Sequence, residues 1–150
     1  MIREATPEDI PAIQAIRHAV IENVLSDPGL VTDTDCHTYI TNRGKGWVYM
    51  LKDQIIGFAI ADLQENNIWA LFVHPDHEHR GYGRMLHDNM LNWYFSQTTK
   101  SVWLSTSPDT RAEYFYRTAG WQEDGLSAKG EILFRMKYDR WWLRDISHGR

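Results

Sequence analysis

The sequence has little of what marks a secreted or membrane protein. It contains one cysteine, Cys36, in 150 residues, which excludes an internal disulfide framework and fits a reducing compartment. No apolar run approaches the roughly 20 residues of a membrane span. Charged side chains at Arg3, Glu4, Glu8 and Asp9 leave no room for the apolar core of a signal peptide. We therefore expect a cytoplasmic protein with no membrane partner.

A strong basic charge is also missing. The chain has 16 Lys and Arg against 20 Asp and Glu, which gives a formal net charge of −4. Proteins that bind nucleic acid mainly through its phosphates are usually basic, so we expect no nucleic-acid partner. Hydrophobic residues at 43% and charged residues at 24% are typical of a globular protein of about one domain.

The spacing of apolar residues predicts an α+β fold with a mixed sheet, because hairpin-like strands come first and then alternate with helices. Turn residues and helix-capping residues separate the elements. The predicted elements are a strand in residues 1–5, a helix from Thr6 that ends before Asp27, a short helix over about 33–41, strands at 47–51, 55–63 and 68–73, a helix from Gly83, a strand at 101–105, a helix from Pro108-Asp109 to Gly120 and a strand at 132–136.

Residues 71–86, LFVHPDHEHRGYGRML, carry the most informative pattern. An apolar strand ends at Val73, a loop follows, and Gly81-Tyr82-Gly83 opens an amphipathic helix. Unpaired backbone N–H groups at a helix start, together with the helix dipole, favour an anion there. Glycine lets the backbone approach a diphosphate closely, and Arg80 and Arg84 flank the turn. The pattern predicts a phosphate-binding turn.

Two familiar phosphate-binding motifs do not fit. The segment lacks the G-K-[ST] of a nucleotide P-loop, and it lacks the third glycine and early βαβ unit of a dinucleotide fold. VHPDHEHRGYGRML instead resembles the acyl-CoA-binding motif of the GNAT superfamily of acetyl-CoA-dependent N-acetyltransferases, in which a strand ending in V-x-P precedes [Q/R]-x-x-G-x-[G/A] and a helix. AEYFYRTAGW, residues 112–121, resembles the family's later A-x-x-x-Y-x-x-x-G-[F/W] block. The resemblance covers about residues 2–137.

The resemblance implies the GNAT-like acyl-CoA N-acyltransferase fold: α+β, with a mixed, mostly antiparallel central sheet flanked by helices. Residues 1–150 would form a single N-acetyltransferase domain, with 138–150 as a C-terminal extension. The implied reaction moves an acetyl group from acetyl-CoA, the acyl-donor co-substrate, to a primary amine of a small molecule or peptide, by direct attack through a tetrahedral intermediate. The implied cofactor-binding residues are Phe72, Val73, Arg80, Gly81, Tyr82, Gly83 and Arg84. The acceptor site is implied to include Glu22, Asn23 and the Asp33 to Asp35 region.

Acetyl transfer needs a deprotonated amine, donors for the developing oxyanion and a proton for the leaving thiolate. The resemblance assigns the last role to Tyr116 and the oxyanion donor to a backbone N–H near Val73. Helical spacing alone would place Tyr116 in a core stripe with Phe115, whereas the match to the family block favours the acid.

The general base stays open. Asn67 stands about where many members carry Glu, and an amide cannot accept a proton at neutral pH. A water chain to solvent would serve equally well. Acids without a distinguishing signal are Glu65, Glu22, Asp33, Asp35 and Glu131.

Three further positions depart from the family pattern. Glu78 replaces a usual Gln or Arg and removes a donor near the pyrophosphate, Asp109 stands about where many members have Asn, and Trp121 replaces Phe. Together with Asn67, Glu78 leaves open an alternative function, a non-catalytic acyl-CoA-binding or interaction domain.

Other chemistries have weaker support in the sequence. The histidines within residues 74–79 cluster beside an aspartate, but their spacing matches no metal site, so no metal is expected. Cys36 has no nearby partner base for a nucleophilic role. The apolar group at residues 141–143 either packs back onto the sheet or contacts a second subunit, so a homodimer is one of two open expectations.

Overall fold

The α+β fold is confirmed, with mostly antiparallel strands and helices beside them. A computed structural model describes residues 1–20 and 31–147. The strands are β1 (Ile2–Glu4), β2 (Gly44–Leu51), β3 (Gln54–Asp62), β4 (Asn67–Val73), β5 (Val102–Thr106), β6 (Gln122–Leu126) and β7 (Ile132–Met136). The helices are α1 (Ile10–Ala19), α2 (Asp33–Thr38), α3 (Tyr82–Gln97), α4 (Arg111–Thr118) and α5 (Tyr138–Ser147). The chain divides into two compact units, Met1–Tyr94 and Phe95–Arg150.

In the first unit, strands β1 to β4 pair antiparallel in chain order. The turn between β2 and β3 is tight because Lys52 adopts φ 58°, a left-handed conformation. Gln54, which the sequence pattern assigned to the turn, therefore already belongs to β3. Pairing of β3 with β4 contains a bulge, since Ile60 lies opposite Ala70 and Ala61 opposite Ile68, which leaves Trp69 as the extra residue.

The core of this unit lies between α1 and one face of the sheet. The predicted apolar stripe of α1 is buried at Ile10, Ile13 and Ile16. These side chains pack in one cluster with Phe58 and Ala70 of the sheet. The cluster fixes which face of β4 lies towards α1.

Two glycines allow close packing in this unit. A Cβ on Gly44 would lie 1.8 Å from the carbonyl oxygen of Ala61, so no other residue fits there without a backbone shift. A Cβ on Gly57 would lie 3.1 Å from both Leu86 Cδ1 and the carbonyl oxygen of Phe72. Helix α3 therefore packs tightly against the strand pair that ends beside its own first turn.

In the second unit, β7 pairs antiparallel with both β5 and β6. The sequence pattern did not predict β6, because every residue of that strand is exposed and shows no apolar alternation. Helix α4 begins at Arg111 with Thr110 as its N-cap, whose side chain accepts from the backbone N–H of Glu113. It begins later than predicted because Asp109 adopts φ 63°, which no helical residue takes.

Helix α5 packs within the second unit. Trp141 is buried, and the ring of Tyr138 lies 5.8 Å from that of Phe95. Leu143, in contrast, is 58% exposed. Of the apolar group at residues 141–143, Trp141 therefore packs inside the protein, and the homodimer stays a prediction. Among the described residues, no helix has the length and apolar character needed to span a bilayer.

Candidate active site

The end of β4 is fixed before the chain turns into α3. The backbone N–H of His74 donates to the carbonyl oxygen of Ile56 at 2.8 Å. A single 3-10 turn, Pro75–His77, follows, and His74 Nδ1 accepts from the backbone N–H of Asp76 at 3.1 Å. These bonds place the loop that leads to the glycine turn directly after the strand end.

The glycine turn, defined here as Gly81–Gly83, has the backbone geometry of an anion site. Gly81 adopts φ 86°, and a Cβ built on it would meet no described atom within 4 Å. A Cβ on Gly83 would only touch Val73 Cγ2 at 3.5 Å. Because the first N–H groups of a helix have no acceptor inside the helix, α3 presents donors on this open side. The site thus fits a diphosphate that approaches the backbone closely.

The two predicted arginines differ in their surroundings. Arg80 is exposed, whereas Arg84 is half-buried and its Nε donates to Asp88 Oδ1 at 3.3 Å, one helical turn later. The same oxygen lies 2.8 Å from Nδ1 of His87, which is fully buried. The structure thus adds Asp88 and His87 beside the predicted set. The i,i+4 spacing of Arg84 and Asp88 is the signal from which the sequence could have revealed the pair.

The side chain of Tyr82 turns back towards the sheet. Its ring lies 4.6 Å from that of Tyr49 on β2. For Tyr82 the backbone N–H at the helix start, rather than the side chain, is therefore the group that an anion would meet. Phe72 is likewise held by the sheet, since its ring lies 5.6 Å from that of Phe58 on β3.

The start of β4 contains a polar group where the family resemblance pointed to a base. Asn67 lies opposite Asp62, and its Oδ1 is buried with no hydrogen-bond partner in the described part of the chain. Asp62 is also buried, but Arg43 donates to both of its carboxylate oxygens, at 2.7 and 3.1 Å. The backbone N–H of Gln64 donates to it as well. Asp62 ends a long apolar run, so the sequence pattern did not single it out.

Most of the other candidate bases have structural roles. Asp33 accepts from Gln14 at 3.3 Å, and Asp35 accepts from the backbone N–H of Thr32 in the capping box of α2. Glu131 accepts from Ser105 at 3.1 Å.

The remaining candidates are Glu65 and the predicted acceptor residues. Glu65 is exposed in the turn before β4. The predicted acceptor residues Glu22 and Asn23 lie outside the described residues.

Tyr116 is buried on α4 among aromatic side chains. Its ring centroid lies 5.2 Å from Phe115, 5.5 Å from Trp121 and 6.2 Å from Phe134. Burial raises the pKa of the phenol above its usual value of 10.0, because the anion would be poorly solvated. The hydroxyl therefore carries its proton at neutral pH, as an acid must.

Two other hypotheses can be compared with the structure. The described residues contain no grouping of three or more His, Cys, Asp or Glu side chains that could hold a metal ion. Cys36 is completely buried, and burial raises the pKa of its thiol. A protonated, enclosed thiol is a poor nucleophile, so Cys36 behaves as a core residue.

Structures of known acetyltransferases share this fold. The PaiA N-acetyltransferase from Thermoplasma acidophilum, crystallised with coenzyme A, aligns with a TM-score of 0.82 at 14% identity over 92% of this chain and 98% of that one. The ribosomal-protein-S18-alanine N-acetyltransferase from Escherichia coli aligns at 0.75, with 17% identity over 92% and 93%. The ribosomal-protein-alanine N-acetyltransferase from Brucella melitensis aligns at 0.77, with 20% identity over 91% and 99%.

Sequence comparison identifies the family. No curated protein is significantly similar to the chain in sequence. The family model for the acetyltransferase (GNAT) family matches residues 13–121, which include both the glycine turn and the block around Tyr116. With the shared fold and the open helix start after β4, this match places the chain among the acetyltransferases of the GNAT family.

Proposed function

We propose that the chain, acting as one domain over residues 1–150, transfers the acetyl group of acetyl-CoA to the primary amine of a small molecule or peptide. The observation that carries this proposal is the glycine turn: Gly81 has φ 86° and open space where a side chain would stand. Its support from relatives is the family match and a structural neighbour crystallised with coenzyme A.

The residues that would hold acetyl-CoA come from the end of β4 and from the segment that leads into α3. The backbone N–H groups of the glycine turn would bind the diphosphate, with Arg80 and Arg84 adding positive charge. Phe72 and Val73 would contact the pantetheine arm at the end of β4.

In the proposed transfer, the nitrogen lone pair of the acceptor attacks the thioester carbonyl carbon. The C–N bond forms, the C–S bond breaks, and the ammonium proton leaves to water. A backbone N–H near Val73 donates to the oxygen while it carries negative charge. The Tyr116 hydroxyl gives its proton to the departing thiolate and regains one from solvent, which balances the step.

A second candidate, a non-catalytic acyl-CoA-binding domain, has one observation in its favour. Near the start of β4, the carboxylate of Asp62 is bound by Arg43, and its neighbour Asn67 is an amide. The amide cannot accept a proton at neutral pH, and both oxygens of the Asp62 carboxylate already accept hydrogen bonds from Arg43. Under this alternative the glycine turn would bind acyl-CoA and no acetyl group would move.

Calorimetric titration with acetyl-CoA, NADH and ATP tests the donor site. We expect binding of acetyl-CoA in the micromolar range and none of the other two, and a lack of acetyl-CoA binding would contradict the proposal. Release of free thiol from acetyl-CoA in the presence of a panel of amines then separates the two candidates. Binding without amine-dependent thiol release would favour the non-catalytic domain.

A further inference from the structure

Two arginines and three aromatic rings contact one another in a row on one side of the first unit. The guanidinium of Arg43 lies 4.7 Å from the ring centroid of Tyr39, which stacks on Trp69 at 4.0 Å and an interplanar angle of 10°. The guanidinium of Arg17, from α1, lies 5.9 Å from the ring centroid of Trp69 and 5.5 Å from that of Phe72. These five side chains form what we call the aromatic stack.

The bulge in β4 is what brings the stack together. Side chains three residues apart in a regular strand point to opposite faces, so Trp69 and Phe72 should not share a face. Because Trp69 is the extra residue of the bulge, the alternation shifts there. Both rings then pack against the same core cluster beneath α1 and α2.

The two arginines of the stack differ in one respect. Arg43 donates to both oxygens of Asp62. For Arg17, no carboxylate of the described residues lies within ion-pair distance, and no described group accepts a hydrogen bond from its guanidinium. Cys36 could act on Arg17 with a negative charge only as a thiolate, and burial raises the pKa of that thiol, which keeps it neutral. No negative charge among the described residues therefore pairs with the positive charge of Arg17.

The position of Arg17 is not explained by helix electrostatics alone. It lies in the last turn of α1, where a cation is favoured by the helix dipole. An exposed side chain could interact with the helix dipole and keep its hydration. Arg17 is instead half-buried, and burial lowers the pKa of its guanidinium. An unpaired charge that is partly removed from water needs a compensating interaction, and the two rings supply only part of it.

We infer that Arg17 binds a carboxylate of the acceptor, so that the enzyme acetylates amines that carry a carboxylate close to the amino group. This inference rests on the proposed acetyltransferase function. A guanidinium stacked over a ring keeps the N–H groups on its edge available, and that fork matches a carboxylate in two parallel hydrogen bonds.

The stack also places this carboxylate near the proposed reaction. Phe72, over which Arg17 lies, is one of the residues proposed to contact the donor at the end of β4. Acceptors that present an amine and a carboxylate close together include two kinds that can be compared directly. One is a free amino acid, and the other is a peptide whose residue after the free N-terminus is acidic. Polycationic amines should be disfavoured, because they would meet the charge of Arg17 directly.

The test uses pairs of acceptors that differ by one carboxylate: an amino acid against its α-carboxamide, and a peptide with Glu as its second residue against the same peptide with Gln. For the carboxylate member, Arg17→Gln should lower kcat/KM by about 10- to 100-fold, the range for a lost hydrogen bond between charged groups. For the amide member it should change little. Arg17→Lys keeps the charge but not the planar fork of N–H donors, so its kcat/KM for the carboxylate member should lie between those of the wild type and Arg17→Gln.

The matched control is Lys52→Gln, which removes one exposed positive charge from the turn between β2 and β3 of the same unit. It should leave both members of each pair unchanged. Whichever pair shows the larger effect of Arg17→Gln identifies the acceptor as amino acid or peptide. Equal loss for both members of each pair, or no loss, would overturn the inference.

Calorimetry keeps the inference separate from the proposed function. Acetyl-CoA should bind Arg17→Gln as tightly as the wild-type protein, and failure of the wild type to bind it would count against the proposed function instead. The same acceptor pairs, titrated into the protein saturated with CoA, require no turnover. Tighter binding of the carboxylate member that Arg17→Gln abolishes supports the inference, and equal binding of both members refutes it.

Discussion

The two sequence blocks that match the acetyltransferase family differ in physical character. The glycine turn lies on the surface, and its geometry belongs to the backbone: a positive φ at Gly81 and a helix start. Helix α4 places Tyr116 in an enclosed aromatic environment. The proposed role of the glycine turn, phosphate binding, follows from its backbone conformation. The proposed role of helix α4 depends on one proton, that of the Tyr116 hydroxyl, in apolar surroundings. The predictions below test that difference.

The largest effect is expected for Tyr116→Phe. Loss of the proposed proton donor should reduce turnover by about 100-fold or more, the usual scale for general acid catalysis. Binding of acetyl-CoA should stay the same, because the ring and its aromatic contacts are kept. Stopped assays of thiol release and calorimetric titration would measure the two properties.

Tyr114→Phe provides the matched control for this variant. Tyr114 lies on the same helix and is 72% exposed, so its hydroxyl is hydrated and the substitution should leave turnover unchanged. If Tyr116→Phe retained full turnover, Tyr116 would be a core residue only, and the contrast between the two blocks would disappear.

The second effect, on donor binding, is expected for Gly81→Ala. A side chain in the left-handed region costs about 1–2 kcal/mol, and the methyl group would stand in the open space that the phosphates need. We expect acetyl-CoA binding to weaken by about tenfold or more. Calorimetric titration measures this change, and thermal unfolding measures the cost to the fold.

Gly130→Ala is matched to Gly81→Ala in backbone strain. Gly130 has φ 80°, close to the 86° of Gly81, and a Cβ there also meets no described atom within 4 Å. The two variants should lose similar stability, while only Gly81→Ala loses affinity. Equal affinity in both would show that the glycine turn serves the fold rather than the donor.

A smaller effect is expected from the charges beside the turn. Arg84→Gln should weaken acetyl-CoA binding by about 2- to 5-fold, and Asp88→Asn should strengthen it by a similar factor, the range for ion pairs near the protein surface. Both effects should shrink as salt is added, because the charges are screened. Titrations at two ionic strengths measure this, and the same sign for both variants would contradict the electrostatic explanation.

The smallest effect on turnover is expected for Tyr94→Phe, which removes another buried phenol. Its hydroxyl donates to Asn66 Oδ1 at 3.0 Å, so the variant should lose about 1 kcal/mol of stability at neutral pH and no turnover. Burial, assisted by Asp62, raises the pKa of Tyr94 to about 12. Turnover as low as in Tyr116→Phe would show that any buried hydroxyl matters equally.

Tyr94 also predicts a dependence of stability on pH. The unfolded chain loses this proton near pH 10, whereas the folded chain keeps it up to about pH 12. The stabilising contribution is therefore complete below pH 10 and is lost as the pH rises towards 12. Urea unfolding between pH 8 and 11 should show a shallower alkaline decline in Tyr94→Phe than in the wild type.

Local patterns predicted much of the fold and the glycine turn at the start of α3. The apolar stripe of α1 and the strand runs follow from spacing alone, and the start of α3 follows from its glycines. Each of these depends on residues that are neighbours in the sequence, so no long-range contact is needed to identify them.

The features that the sequence did not predict depend on distant contacts or on single backbone angles. Strand β6 has only exposed residues and is a strand because β7 pairs with it. Helix α4 starts late because of the φ of Asp109. The partner of Asp62 and the rings near Arg17 come from other elements, and spacing along the chain carries no information about them.

The bulge at Trp69 also bears on how this strand can change in evolution. A one-residue insertion or deletion in a regular strand reverses the facing of every later side chain. The bulge in β4 already accommodates one extra residue. A change in chain length before Trp69 would therefore change the facing of Asn67 and Ile68 only. The segment from Ala70 to Val73 keeps its register with β3. Relatives of this chain should therefore vary in length ahead of the bulge and keep a constant length after it.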